Sequence, residues 1–256
     1  MSNFKGEADG MELYSLLARY YDDIFPLDPA VVGFVRSACP PGMLLDVGCA
    51  TGALAASLAC AGYGVTGIDA DPAMICLSRA RADRLGPVCG RLDFLETGML
   101  SLDTYAPAGS FDAVTCLGNT LVHLPDADSV TRFLEQTLTL LSGTGVLLVQ
   151  ILNYRFILDT PGGRLLPDID TGAFIFRRAY RDRPDGRLDF SVTLREKASG
   201  VEYSDALPLL PLPPEELDRL LEAAGFTERS SFGGFDRRRF DPDALVLVME
   251  ARPGRG

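Results

Sequence analysis

Apolar positions recur along the first half of the chain in blocks of two alternating kinds. Residues 11–25 place Leu13, Leu16, Leu17, Tyr20, Tyr21 and Ile24 at helical spacing. Pro26 and Pro29 end that helix, and a second covers residues 30–39. Short apolar runs of strand length follow at residues 43–47, 64–68, 87–94, 111–117 and 146–152. The segments between them read as helices: 53–61, then 72–84 behind an Asp71-Pro72 cap. A third is opened by Asp126 and Asp128, with Val130, Phe133, Leu134, Leu138 and Leu141 as its apolar side. Apolar strands alternating with helices predict a parallel sheet covered on both faces.

The pattern changes after strand five. Residues 153–212 lack a helical period and hold three extended segments, 173–181, 187–197 and 201–210. Turns at Pro184-Asp185-Gly186 and Ser199-Gly200 separate them, which predicts an inserted antiparallel three-stranded meander. Pro213-Pro214 then starts a helix over 215–224, closed by Gly225, and residues 226–235 and 244–251 supply two last strands. The expected organisation is one α/β domain, residues 1–152 and 213–256, carrying residues 153–212 as a β lid at the sheet edge where ligands bind.

Strand one empties into a turn built on Gly48, Ala50 and Gly52, followed at once by a helix. Small side chains let a ligand touch backbone there, and the helix end offers unpaired N–H groups with partial positive charge. The turn reads G-x-A-x-G, and Ala53 stands where the dinucleotide fingerprint has its third glycine. Asp69 ends strand two, 17 residues beyond Gly52, where a carboxylate can accept hydrogen bonds from both hydroxyls of a ribose. Asp93-Phe94 is expected to end strand three, an acid and an aromatic suited to an adenine amino group and ring face.

Composition mainly excludes. With 24 basic against 35 acidic residues and a net charge of −11, the chain repels nucleic acid on average. No apolar run reaches membrane-span length, and the polar first ten residues do not read as a signal peptide. Six cysteines without a C-x-x-C pair predict buried free thiols, a reducing cytoplasmic setting and no metal site. The oligomeric state, monomer or homo-oligomer, is left open.

Taken together, Asp46 to Gly52, Asp69 and Asp93-Phe94 resemble the cofactor site of class I S-adenosylmethionine (AdoMet) methyltransferases, in matching order along nearly the whole chain. Cys116-Leu117-Gly118-Asn119-Thr120-Leu121-Val122-His123-Leu124-Pro125-Asp126 is similar to the strand-four stretch of the glycine and glycine/sarcosine N-methyltransferases. Asn153-Tyr154 matches the segment those enzymes carry after strand five, but Leu152 stands where they place a carboxylate-holding arginine. The resemblance implies a Rossmann-like seven-stranded, mostly parallel sheet and methyl transfer from AdoMet, with S-adenosylhomocysteine as product, to a small-molecule acceptor. It implies a cofactor set of Tyr14, Tyr21, Asp46, Gly48, Ala50, Gly52, Asp69, Ala70, Met74, Asp93, Phe94, Leu117 and His123.

For the acceptor, Asn119 is the amide expected to orient an N–H or O–H group, with Asn153 and Tyr154 beside it. His123, the single histidine, either touches the methionine end of AdoMet, assists proton removal, or caps the following helix as a structural residue. Tyr14 and Tyr21 offer hydroxyls and ring faces to the transferring charge. Arg155, Arg177 and Arg178 are candidates to replace the missing clamp; strand alternation lets at most one of the last two face the site. Glycine is therefore expected to be a poor substrate. O-methylation with His123 as base, and cofactor binding without turnover, are the alternatives. A dinucleotide dehydrogenase is disfavoured by Ala53 and by the lack of a Tyr-x-x-x-Lys pair.

Overall fold

A computed structural model describes residues 18, 20–102, 106–160 and 165–254. Its first half alternates α1 (Pro29–Ala38), β1 (Met43–Val47), α2 (Ala53–Cys60), β2 (Gly64–Asp69), α3 (Pro72–Leu85), β3 (Leu92–Glu96), β4 (Phe111–Cys116), α4 (Ala127–Leu140) and β5 (Leu141–Leu152). Helix starts follow from local chemistry. The Asp71 carboxylate accepts the Ala73 N–H at 2.8 Å ahead of Pro72, and Asp126 does the same for Ser129 at 2.8 Å.

After a short α5 (Tyr154–Asp159), a second sheet forms from β6 (Leu165–Asp170), β7 (Phe174–Asp182), β8 (Leu188–Glu196) and β9 (Glu202–Leu209), antiparallel throughout. It has four strands; the meander expected from the sequence is joined by β6, whose Leu-Leu-Pro-Asp-Ile-Asp lacks a clean alternation. Helix α6 (Pro214–Ala223), β10 (Phe226–Phe232) and β11 (Val246–Pro253) complete the main sheet, ordered β10-β11-β5-β4-β1-β2-β3. Only β11 runs against its neighbours. Successive side chains alternate between two apolar layers. Leu45, Val47, Val114, Leu147 and Val149 join one, and Leu44, Ala113, Val146, Leu148 and Val248 the other.

The order reverses between β1 and β4, so the crevice at their C-terminal ends is where such sheets take ligands. The second sheet faces this edge. Its inner side packs with Ile24 and Tyr20 of the helical turn at residues 20–24, and Tyr20 meets Phe174 at 4.9 Å between ring centroids.

Strand three differs from the expected 87–94. Gly90 donates to the Ala59 carbonyl at 3.0 Å, and a Cβ there would lie 1.8 Å from the Tyr63 oxygen. That close crossing keeps residues 87–91 out of the sheet, so pairing begins at Leu92 and ends at Glu96. No helix of the described residues is long and apolar enough to cross a membrane.

Candidate functional site

The turn after β1 is a backbone device. Gly48, Ala50 and Gly52 all adopt positive φ, at 70°, 47° and 73°. Gly48 and Cys49 both donate to the Ile68 carbonyl, at 2.8 and 2.9 Å, which fastens the turn to β2. A Cβ on Gly48 would lie 2.4 Å from Thr120 Cγ2, and one on Gly52 2.5 Å from the Phe94 ring. The cradle is thus small because its neighbours already fill the space behind it. It forms one wall of a cavity of about 230 Å³, with Tyr21, Asp46, Leu117, Gly118 and Gln150 among its lining residues.

Two carboxylates stand at the cradle. Asp69 accepts the Ala50 N–H and the Asp71 N–H, both at 2.9 Å, leaving lone pairs free. Burial raises its pKa, and those two N–H bonds oppose the rise. Asp46 is buried and accepts the Thr115 hydroxyl at 2.7 Å. Burial pushes its pKa up to about 6, with the Thr115 bond opposing and the Asp69 charge adding. Tyr21 is pushed up to about 12, by burial first and then by Asp69, Asp22 and Asp46, so its phenol keeps its proton as a donor. Asp22 is tied across the mouth: the Thr51 hydroxyl donates to it at 2.6 Å and Arg81 pairs with it.

A second cavity, about 360 Å³, lies between the strand ends and the second sheet. Asn119, His123, Leu152 and Met74 line the sheet-edge wall, and Arg178, Tyr180, Phe190, Asp205 and Leu207 are among the opposite wall. Tyr21, Phe25, Gly118 and Gln150 belong to both cavities and form the throat between them. Gln150 was not picked out from the sequence. It is a lone amide within an apolar strand, and that is the signal that marks it. Its Oε1 accepts the Gly118 N–H at 2.8 Å and its backbone carbonyl accepts the Asn119 N–H at 3.1 Å, which holds the two positive-φ residues after β4.

The structure redistributes several expected site residues. Asn119 Oδ1 accepts the Leu152 N–H at 3.0 Å, and its Nδ2 donates to the Tyr154 hydroxyl at 3.0 Å, so much of the amide is committed to holding the end of β5. Asn153 is fully buried, donating to the Pro242 and Ala244 carbonyls and capping α5 at the Phe156 N–H. Tyr154 is likewise buried, its ring edge against Tyr180. Neither lines the cavity. His123 opens into it, and the surrounding walls, by desolvation, hold its pKa below the usual histidine range.

On the far side of the cradle, Asp93 pairs in register with Thr66, three positions short of the strand end, and is bound to Arg91; Glu96 stands opposite Asp69 instead. Phe94 points inward under Gly52 and Gly67 and is buried, so its ring is not offered to an adenine. Both departures follow from the shift of β3. Ala70 is exposed at the end of β2, Met74 faces the second cavity, and Tyr14 lies outside the described residues. Of the three arginines, Arg155 pairs with Asp159 and Glu215 away from the cavity. Arg177 faces outward, paired with Asp168 at 3.1 Å, and Arg178 lines the cavity, as alternation requires.

The sheet order, the positive-φ cradle and Asp69 at the end of β2 together give the fold shared by AdoMet-dependent methyltransferases of known structure. Residues 44–145 match the family model described as a methyltransferase domain. Rat glycine N-methyltransferase is 36% identical over 124 residues, 46% of this chain and 42% of the relative. A glycine/sarcosine N-methyltransferase of Parasynechococcus marenigrum is 27% identical over 217 residues, 81% of this chain and 71% of the relative. Among solved structures, the CcbJ methyltransferase from Streptomyces caelestis superposes with a TM-score of 0.74 at 23% identity, over 88% of this chain and 94% of that one. The match to the rat enzyme spans less than half of that protein's length.

Proposed function

We propose that this chain is an AdoMet-dependent methyltransferase acting on a nitrogen of a small-molecule acceptor. The observation that carries the reading is the pair of cavities meeting at one throat, a glycine cradle on one side and a side-chain-lined chamber on the other. The N-methyltransferase relatives favour nitrogen as the receiving atom.

The residues fit AdoMet on structural grounds, since the turn at Gly48 and Gly52 leaves no room for side chains and Asp69 keeps lone pairs for a ribose. Gly48, Ala50 and Gly52 would present backbone to the cofactor, Asp69 would accept its ribose hydroxyls, and Asp46, Leu117 and Tyr21 would close its amino-acid end. When bound, AdoMet supplies an electrophilic methyl on a sulfonium. The protein's task is then placement, worth roughly 7–11 kcal/mol in well-oriented reactions. Tyr21 and Gln150 flank the path, and the protonated Tyr21 phenol and its ring face tolerate a passing positive charge. His123 is held neutral, with a lone pair able to take the proton that a methylated amine releases.

Labelled AdoMet incubated with a panel of amines and hydroxyl compounds tests the reading: label is expected in amines, and label confined to hydroxyl acceptors or absent altogether would overturn it. Glycine should perform poorly in this panel. Leu152 lines the chamber without a charge, and a missing charged hydrogen bond weakens recognition by roughly ten- to a hundredfold. A glycine kcat/KM at or above about 10⁴ M⁻¹s⁻¹ would contradict that expectation.

A further inference from the structure

The middle of the second sheet's inner face carries charge in one transverse row only. Leu166 pairs with Arg178, Arg178 with Val192, and Val192 with Asp205, so four strands place these residues side by side on one face. All four line the second cavity. The flanking rows are Tyr180, Phe190 and Leu207 on one side and Phe176, Leu194 and Tyr203 on the other. A cation and an anion therefore face a common space from alternate strands, about two strand spacings or ~10 Å apart at the backbone.

Among the described residues neither Arg178 nor Asp205 forms an ion pair. Among the described residues Arg178 Nε is buried with no hydrogen-bond partner, and the guanidinium makes a single bond, Nη2 to the Pro167 carbonyl at 3.2 Å. Desolvation holds its pKa below the usual arginine range, with Tyr180 and Asp168 opposing. Asp205 spends one oxygen on the Ala206 N–H at 2.7 Å, and its other oxygen has no partner among the described residues. No ion pair joins Asp205 to Arg178. A buried orphan donor is costly in the empty protein, so the arrangement makes physical sense with a ligand that satisfies it.

We propose that the acceptor is a zwitterion with an amino-acid head group, its carboxylate held by Arg178 and its ammonium by Asp205, while a separate side-chain nitrogen leaves its proton to solvent and enters the throat as the free amine. This deepens the methyl-transfer reading and rests on it. The reacting nitrogen must be a different one because a carboxylate partner stabilises the ammonium form, which has no lone pair to attack with. The throat lies on the opposite wall from the row, at Tyr21, Gly118 and Gln150, so an extended diamino acid spans the chamber. One arginine and one aspartate match a singly charged carboxylate and one ammonium; a phosphate dianion would leave a negative charge without a partner.

Calorimetry on protein loaded with S-adenosylhomocysteine tests the row independently of turnover. The probes are L-ornithine and L-lysine, the diamines putrescine and cadaverine that lack the carboxylate, and 5-aminopentanoate and 6-aminohexanoate that lack the α-ammonium. At least one diamino acid is expected to bind roughly tenfold or more tightly than both of its counterparts. Arg178→Gln should erase its advantage over the diamine and leave diamine binding unchanged. Asp205→Asn should erase its advantage over the amino acid lacking the α-ammonium. Thr193→Ala, on the outer face, serves as a folding control and should change none of these affinities. Diamino acids that bind no better than their counterparts, or variants that weaken all six probes alike, would overturn the proposal. Absence of methyl transfer with the binding pattern intact would instead sink the enzymatic reading alone.

Discussion

The two chambers are built on different principles. The cofactor side depends on five consecutive residues, three of which take left-handed backbone conformations, with one carboxylate from the next strand pinned to that backbone. The acceptor side is walled by side chains drawn from strand ends, a 3₁₀ turn, the helical turn at residues 20–24 and a second sheet. Backbone geometry is fixed locally and tolerates little change. A side-chain wall is fixed by register between distant strands, and its chemistry can alter by single substitutions without disturbing the fold.

The largest expected effect comes from breaking the local device. Gly48→Val places a branched side chain at φ 70° against Thr120 and should weaken AdoMet binding roughly a hundredfold or more, read by calorimetry alongside circular dichroism. Asp69→Ala should cost about 1.5–3 kcal/mol of AdoMet affinity, from charged hydrogen bonds to the ribose; an unchanged Kd would remove Asp69 from the site.

Asp46 sharpens the comparison through pH. Its pKa near 6 in the folded protein exceeds its unfolded value near 4, so the folded state gains protons and stability as pH falls through that window. Above pH 6 the buried charge costs up to about 3 kcal/mol. Asp46→Asn should therefore raise the melting temperature at pH 7.5 and lose this advantage between pH 6 and 4. A pH-independent difference would show that burial of charge is not its cause. At the small end, Arg177→Gln should change acceptor kcat/KM by less than about twofold, because the side chain faces solvent opposite Asp168.

The local device was also the legible one. The strand, the small-residue turn and Asp69 can be read along the chain because their spacing is sequential, and the sheet order follows from the alternation of apolar runs with capped helices. Asp93-Phe94 was misplaced because the pair looks like a strand end, whereas the crossing of Gly90 over Tyr63 that displaces the strand is a tertiary contact with no pattern of its own. Strand alternation correctly separated Arg177 from Arg178. It did not reveal Asp205, which stands two strands away from Arg178 in register. Asn119 and Asn153 were read as free amides because sequence does not tell which carbonyls and N–H groups fold against them.

The tie from Asp22 to Thr51 and Arg81 has a thermodynamic consequence. Thr51 belongs to the cradle, while the neighbouring Tyr21 and Phe25 furnish wall to both chambers. A ligand that orders the cradle therefore also orders part of the surface its co-substrate meets, and the ordering is paid for only once. Linkage then demands symmetry: whatever factor cofactor occupancy adds to acceptor affinity, the acceptor returns to the cofactor.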